Sequence, residues 1–204
     1  FPGFTVSSTG DNSTISGLYI YDFNSDAILI NNGASGITIG GESGGNVIGL
    51  TTAGSIMQPN AGYGVSVSGN ETLISLNTIS NNAGGIEINS DAKDIQIWGN
   101  KIGTDTGGTL DRGNSGSGIY VSDGASLNGG DSLIEGLLIG TGGGTGYSNV
   151  IAGNDDDGIH VGGTGSAISG DIKIQGNYIG MTSGGAALGN SDEGIIGETS
   201  ASGV

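Results

Sequence analysis

Residues 153–161 read GNDDDGIHV, which places three adjacent acids, Asp155, Asp156 and Asp157, just ahead of His160, the only histidine in the chain. Those residue types suit two chemistries. A carboxylate beside an imidazole is an acid/base pair. Close-spaced carboxylates on a loop are hard oxygen ligands for a divalent cation such as Ca2+. A second turn of the same kind, GNSDEG, adds Asp192 and Glu193. The candidate calcium ligands are therefore Asp155, Asp156, Asp157, Asp192 and Glu193. A solvated acidic turn leading into a strand explains the same residues without any ligand and is the favoured reading. His160 and Asp157 are three residues apart across a turn–strand junction, so their side chains need not meet.

The elements that carry these residues follow from composition. The chain has 204 residues, of which 46 are glycine, and its two prolines are Pro2 and Pro59. Glycine has no three-residue period, which excludes collagen. Hydrophobic residues make up 34% and aromatics 5%. The apolar residues are mostly Ile, Leu and Val in short clusters between Gly/Asn/Asp/Ser turns, a pattern of many short strands. The net charge of −16 disfavours nucleic acid and anionic lipid as partners and favours divalent cations. There is no cysteine, and no apolar run approaches the roughly 20 residues of a membrane helix. No signal peptide is evident and the sequence opens FPGFTV, so a mature chain or a piece of a longer one is expected.

Internal repeats dominate. DIQIWGNKIG (94–103) and DIKIQGNYIG (171–180) agree at seven of ten positions. GITIGGESGGNVIG (36–49) parallels GLLIGTGGGTGYSNVIAG (136–153), and NTISNNAGGIEI (77–88) parallels NVIAGNDDDGIHV (149–161). Three strand types recur in fixed order. The first comprises AILI (27–30), GVSV (64–67), GIEI (85–88), GIYV (118–121), GIHV (158–161) and GIIG (194–197). Copies of the second begin at Ile37, Leu73, Ile95, Leu137 and Ile172. Copies of the third begin at Asn46, Asn77, Asn100, Asn149 and Asn177.

Strands this short do not make stable hairpin sheets alone, and no stretch of helical period lies between them to act as a crossover. Like strands recurring once per circuit stack at about 4.8 Å into three parallel sheets. The expected fold is thus all-β: a right-handed parallel β-helix, a three-sheet β-solenoid of about five to six coils, forming a single domain over 1–204. Residues 50–63 and 122–132 read as outward insertions. Alternation points Ile28/Ile30, Val65/Val67, Ile86/Ile88, Ile119/Val121 and Ile159/Val161 inward. It leaves Leu29, Ser66, Glu87, Tyr120 and His160 as an outward column. Asn46, Asn77, Asn100, Asn149 and Asn177 stack at one corner as a structural amide ladder. Asn12 and Asn70 head Asn-x-Thr sequons, candidates for glycosylation.

The phrases NVIAGNDDDGIHV, GNKIGTDTGGT and GNYIGMTSGGAALGNSDEGI resemble the repeats of secreted bacterial and archaeal parallel β-helix proteins of the pectate-lyase-like solenoid superfamily. The resemblance covers roughly residues 13–197 and implies an extracellular or cell-surface place, often within large modular proteins. In the second copy Met181-Thr182 replaces Thr104-Asp105. Polysaccharide lyases and glycoside hydrolases share this architecture. The Gly-His-Gly and Arg-x-Lys segments of polygalacturonase-like sites are missing, and Arg112 is the only arginine. Glu87, Tyr120 and His160 are the remaining catalytic candidates, with Glu87 and His160 about 10 Å apart across two coils.

The reading favoured by the sequence is a non-enzymatic structural or adhesive module of a surface protein or filament. Self-association or further repeats are expected at both ends, with carbohydrate as a candidate partner. An enzyme acting on acidic polysaccharide is the alternative.

Overall fold

The computed structural model describes residues 1–42, 44–51, 57–90, 92–122, 132–135, 137–139, 144–162 and 172–198. Every apolar run of the repeat is a short strand. Coil one consists of β1 (Phe4–Val6), β2 (Thr14–Ile15) and β3 (Tyr19–Ile20). Coil two follows with β4 (Ile28–Ile30), β5 (Thr38–Gly40) and β6 (Val47–Ile48), and coil three with β7 (Tyr63–Val67), β8 (Leu73–Ser75) and β9 (Thr78–Ile79). Coil four has β10 (Gly84–Ile88), β11 (Gln96–Trp98) and β12 (Lys101–Ile102). Coil five has β13 (Ile119–Val121), β14 (Ser132–Glu135), an inserted pair β15 (Leu137–Ile139) and β16 (Gly144–Tyr147), then β17 (Val150–Ile151). Coil six has β18 (Ile159–Val161), β19 (Ile172–Gln175) and β20 (Tyr178–Ile179), and β21 (Ile195–Gly197) begins a seventh.

Like strands stack on like. The first sheet runs β1-β4-β7-β10-β13-β18-β21, the second β2-β5-β8-β11-β14-β19 and the third β3-β6-β9-β12-β17-β20. All pairs within these three sheets are parallel and in phase, for example Ile86 with Ile119 and Ile119 with Ile159. There is no helix among the described residues, and the fold is a parallel β-helix.

The strands depart from the sequence-based expectation in coil one and in coil five. Coil one adds a strand to each sheet, β1, β2 and β3, none of them among the copies read from the sequence; Gly3 heads β1 as Ala27 heads β4, and Thr5 stands in register with Leu29. In coil five the second-sheet strand is Ser132–Glu135, not the run beginning at Leu137. Ser132–Glu135 pairs with Gln96–Ile97 on one side and with Ile172–Gln175 on the other. Leu137–Ile139 instead folds back antiparallel on Gly144–Tyr147. Both runs alternate equally well, and only register with the neighbouring coils decides between them.

The inward residues form one continuous core. Ile28, Ile30, Val65, Val67, Ile86, Ile88, Ile119, Val121, Ile159 and Val161 are at most 3% exposed. Ile39, Ile74 and Ile97 join them from the second sheet, and Ile48, Ile79, Ile102 and Ile151 from the third.

The corner between the second and third sheets carries the expected amide ladder. The Nδ2 of Asn46, Asn77, Asn100 and Asn149 each donates to the Oδ1 of the next asparagine at 2.9–3.1 Å, ending at Asn177. The same Nδ2 atoms also donate to carbonyls of Ile15, Ile39, Ile74 and Ile97 at 2.8–2.9 Å. Each rung thus ties three coils together. The residue before Leu18, Asn77, Asn100 and Asn177 at this corner turns the chain through left-handed φ. Gly17, Gly99 and Gly176 supply this at +66 to +71°, and Leu76 adopts it at +60°.

A second ladder, not anticipated from the sequence, runs along the corner between the third and first sheets. It links Asn60, Asn82, Asn114, Asn154 and Asn190 by Nδ2-to-Oδ1 bonds of 2.8–3.1 Å. At this corner the chain also throws out hairpins. Antiparallel bridges Leu50–Met57, Thr104–Asp111 and Met181–Ala187 close them on coils two, four and six.

Candidate functional site

The turn before β18 lifts Asp155, Asp156 and Asp157 to the corner, and β18 then sends His160 outward. Asp157 is buried, at 4% exposure. Its Oδ1 accepts the Glu193 N–H at 3.0 Å, and its Oδ2 lies 2.7 Å from His160 Nδ1. The two side chains left apart by sequence spacing do meet, because only Gly158 separates Asp157 from the strand that carries His160. His160 Nε2 is 3.7 Å from Glu198 Oε1, so the imidazole sits between two carboxylates. Its ring also meets Tyr120 edge to face, with centroids 5.2 Å apart.

Asp156, Asp157 and Asp192 bring carboxylate oxygens within 4.8 Å of one another. The group spans two coils, with Asp192 on the turn ahead of β21. Asp156 Oδ2 accepts the Ser117 hydroxyl at 2.8 Å. A hydrogen bond with Glu193 and the charge of that carboxylate hold the Asp192 carboxyl above the usual carboxylate range, with Asp156 adding to the repulsion. An all-oxygen group in which ionisation is opposed by neighbouring acids is a donor set that could hold a metal ion. Of the five candidate ligands, three converge. Glu193 hydrogen-bonds to Asp192, and Asp155 is exposed and lines a separate cleft with Arg112.

The outward column stacks as expected: Leu29, Ser66, Glu87, Tyr120, His160 and Ile196 are register partners. Glu87 and His160 lie two coils apart with Tyr120 between them. Ser66, although outward, is only 3% exposed. Its hydroxyl donates to Glu87 Oε2 at 2.7 Å, and Asn89 Nδ2 donates to Ser66 Oγ at 3.0 Å. Tyr63 belongs to the same face. Burial, then the charges of Glu87 and the groups around it, push its hydroxyl up to about 12. Glu87 is thus engaged with Ser66 and Asn89, while His160 is engaged with Asp157.

The sequon asparagines differ. Asn12 is exposed on a left-handed turn. Asn70 is half-buried in a stack between Ser35 and Lys93, and its Oδ1 is buried without a hydrogen-bond partner. No helix among the described residues is long and apolar enough to cross a membrane. No protein-family model matches the chain, and neither a curated protein nor a solved structure matches it.

Proposed function

We propose that the chain is a non-catalytic structural module of an extracellular or cell-surface protein, an acidic rod lengthened by further coils stacked on its ends. The sequence resemblance to secreted pectate-lyase-like β-helix repeat proteins belongs to this reading. The observation that carries it is the state of coil six. Asn177 Nδ2 is buried without a hydrogen-bond partner, whereas the four rungs before it all donate to a next asparagine. Ile195 is 45% exposed, and Ile174 and Ile179 are only partly covered.

A coil bearing Asn-x-Ile supplies the missing Oδ1 and covers these isoleucines. Coil one offers no such rung. Leu18 N–H donates to Asn46 Oδ1 and Phe23 N–H to Asn60 Oδ1, so Leu18 and Phe23 stand where later coils have asparagine. A second copy stacked head to tail would bring those two side chains and no amide, so further repeats fit this face better than a copy does. Electron microscopy of the protein in its native assembly tests the reading. The expected image continues the coils beyond the Ile195 face; a native assembly with that face open to solvent refutes it.

Calcium is the ion proposed for Asp156, Asp157 and Asp192. A cation there joins the turns ahead of β18 and β21. A ligand at a hundred times its Kd stabilises by about 2.7 kcal/mol, so millimolar Ca2+ should raise Tm by several degrees over chelator. An unchanged Tm rejects the site.

The 2.7 Å contact of His160 with Asp157 favours one second reading, a polysaccharide lyase or glycoside hydrolase with Glu87, Tyr120 and His160 on the reacting face. Depolymerisation of an acidic polysaccharide that is lost in His160→Ala would establish it in place of the structural reading.

A further inference from the structure

The two amide ladders protect their asparagines chemically as well as holding the coils. An asparagine side chain is lost spontaneously when the main-chain nitrogen of the next residue attacks its carboxamide carbon. At every rung of both ladders that N–H is engaged by the coil before, at 2.8–3.3 Å. Thr78, Lys101 and Ser191, for example, donate to the carbonyls of Asn46, Asn77 and Asn154. The rung carboxamides are themselves tied to neighbouring coils.

One turn has neither protection. Between β4 and β5 the chain folds back through residues 31–34, closed by the Ala34 N–H donating to the Asn31 carbonyl at 3.1 Å. Asn32 and Gly33 are the middle residues of this turn, and both are exposed. Gly33 has φ +88°, and a Cβ there would meet the Ser8 Cβ at 3.2 Å, so the turn requires glycine after Asn32. Among the described residues neither the Gly33 N–H nor the Asn32 carboxamide has a hydrogen-bond partner. Asn12, Asn24, Asn31 and Asn89 are also followed by unengaged N–H groups. Each of those nitrogens is crowded by a side chain, that of Ser13, Ser25, Asn32 or Ser90. Gly33 has none. Asn128-Gly129 lies outside the described residues.

We propose that Asn32 is a self-modification site, at which the folded chain converts to isoaspartate and aspartate. The Gly33 nitrogen gives its proton to a solvent base and bonds to Asn32 Cγ. The Cγ–Nδ2 bond breaks, and Nδ2 takes up a proton and leaves as ammonia. Water then opens the resulting succinimide. Opening at Cγ gives aspartate; opening at the main-chain carbonyl gives isoaspartate, whose backbone runs through the former side chain. Nothing is oxidised or reduced, and water is the only co-reactant. Either product adds a negative charge to a chain already at −16, and isoaspartate lengthens the turn by a methylene. The site stands whether or not further repeats cover the end coils.

The test is peptide mapping by mass spectrometry of the native protein, aged in mildly alkaline buffer at physiological temperature, beside the same protein aged in urea. Isoaspartate is read by enzymatic carboxyl methylation. In the native protein Asn32 is expected to convert ahead of every other described asparagine, to isoaspartate and aspartate together. Asn24, Asn114 and Asn190 are all followed by serine and calibrate the protection. In urea these three should convert at similar rates. In the native protein Asn114 and Asn190 should fall behind Asn24 by roughly a hundredfold or more, because each must first open several buried hydrogen bonds. The proposal is overturned if native Asn32 converts no faster than Asn24, if aspartate forms there without isoaspartate, or if native Asn114 and Asn190 keep pace with Asn24.

Discussion

Coils four and six carry the most similar sequences in the molecule and live in different surroundings. In coil four, Ile95 and Ile97 are 2% and 0% exposed, Ile102 is 0% exposed, and Asn100 is fully buried. In coil six the matching Ile172 is 7% exposed, Ile174 and Ile179 are only partly covered, and Asn177 lacks a partner for its Nδ2. The residue types agree; the coil on the far side does not. In a stacked fold, burial belongs to the neighbour as much as to the residue, and a sequence repeat predicts the strand without predicting its energy.

The largest expected effect follows from that contrast. Ile97→Asp places an unpaired carboxylate in a closed core and should destabilise by roughly 4 kcal/mol or more. Ile174→Asp, on the open coil, should cost about 1 kcal/mol in the isolated chain, read by urea unfolding. Equal losses at the two sites would mean that coil six is already covered.

The amide ladder gives the next. Asn100 donates to Ile74, Trp98 and Asn149 and accepts from Asn77. Asn100→Ala strands several of these buried partners, a loss of roughly 2–3 kcal/mol. Asn177→Ala forfeits only the bond received from Asn149 and should stay within about 1 kcal/mol. A larger loss at Asn177 would contradict the unpaired rung.

The smallest effect separates the two hairpins. Burial works to raise the Asp105 carboxyl, but the N–H groups of Leu110, Thr109 and Gly107 outweigh it and hold the group below its usual range. A depressed folded value means that its stabilisation is fully present above the unfolded value, near pH 4, and is lost as pH falls through the folded one. In coil six the Thr182 hydroxyl accepts the Ala186 N–H at 3.1 Å and does not titrate. Asp105→Asn should therefore flatten part of the acid limb of a stability–pH curve, and Thr182→Val should leave its shape unchanged.

The fold was legible because period-two alternation recurs with a corner asparagine at a fixed place, before each third-type strand. Coil five was misread at Leu137, where Gly136 separates two equally alternating runs and only contacts with other coils choose between them. The second ladder was hidden by its surroundings. Asn60, Asn82, Asn114, Asn154 and Asn190 stand four or five residues ahead of the next apolar strand position, in turns where asparagine is common for local reasons. The acidic corner was half legible. Adjacent acids announced it, but the turn geometry brought together Asp156, Asp157 and Asp192 and left Asp155 exposed apart from them.

The strands repeat with every coil, yet the hairpins at the third corner repeat with every second one. Within the stretch from coil two to coil six, adding or removing coils in pairs keeps the hairpin spacing. Losing coil three or coil five would bring two hairpins onto adjacent layers about 4.8 Å apart, and doubling coil two, four or six would crowd them in the same way. The kinship of residues 94–103 with 171–180 keeps the hairpins' spacing, two coils and not one.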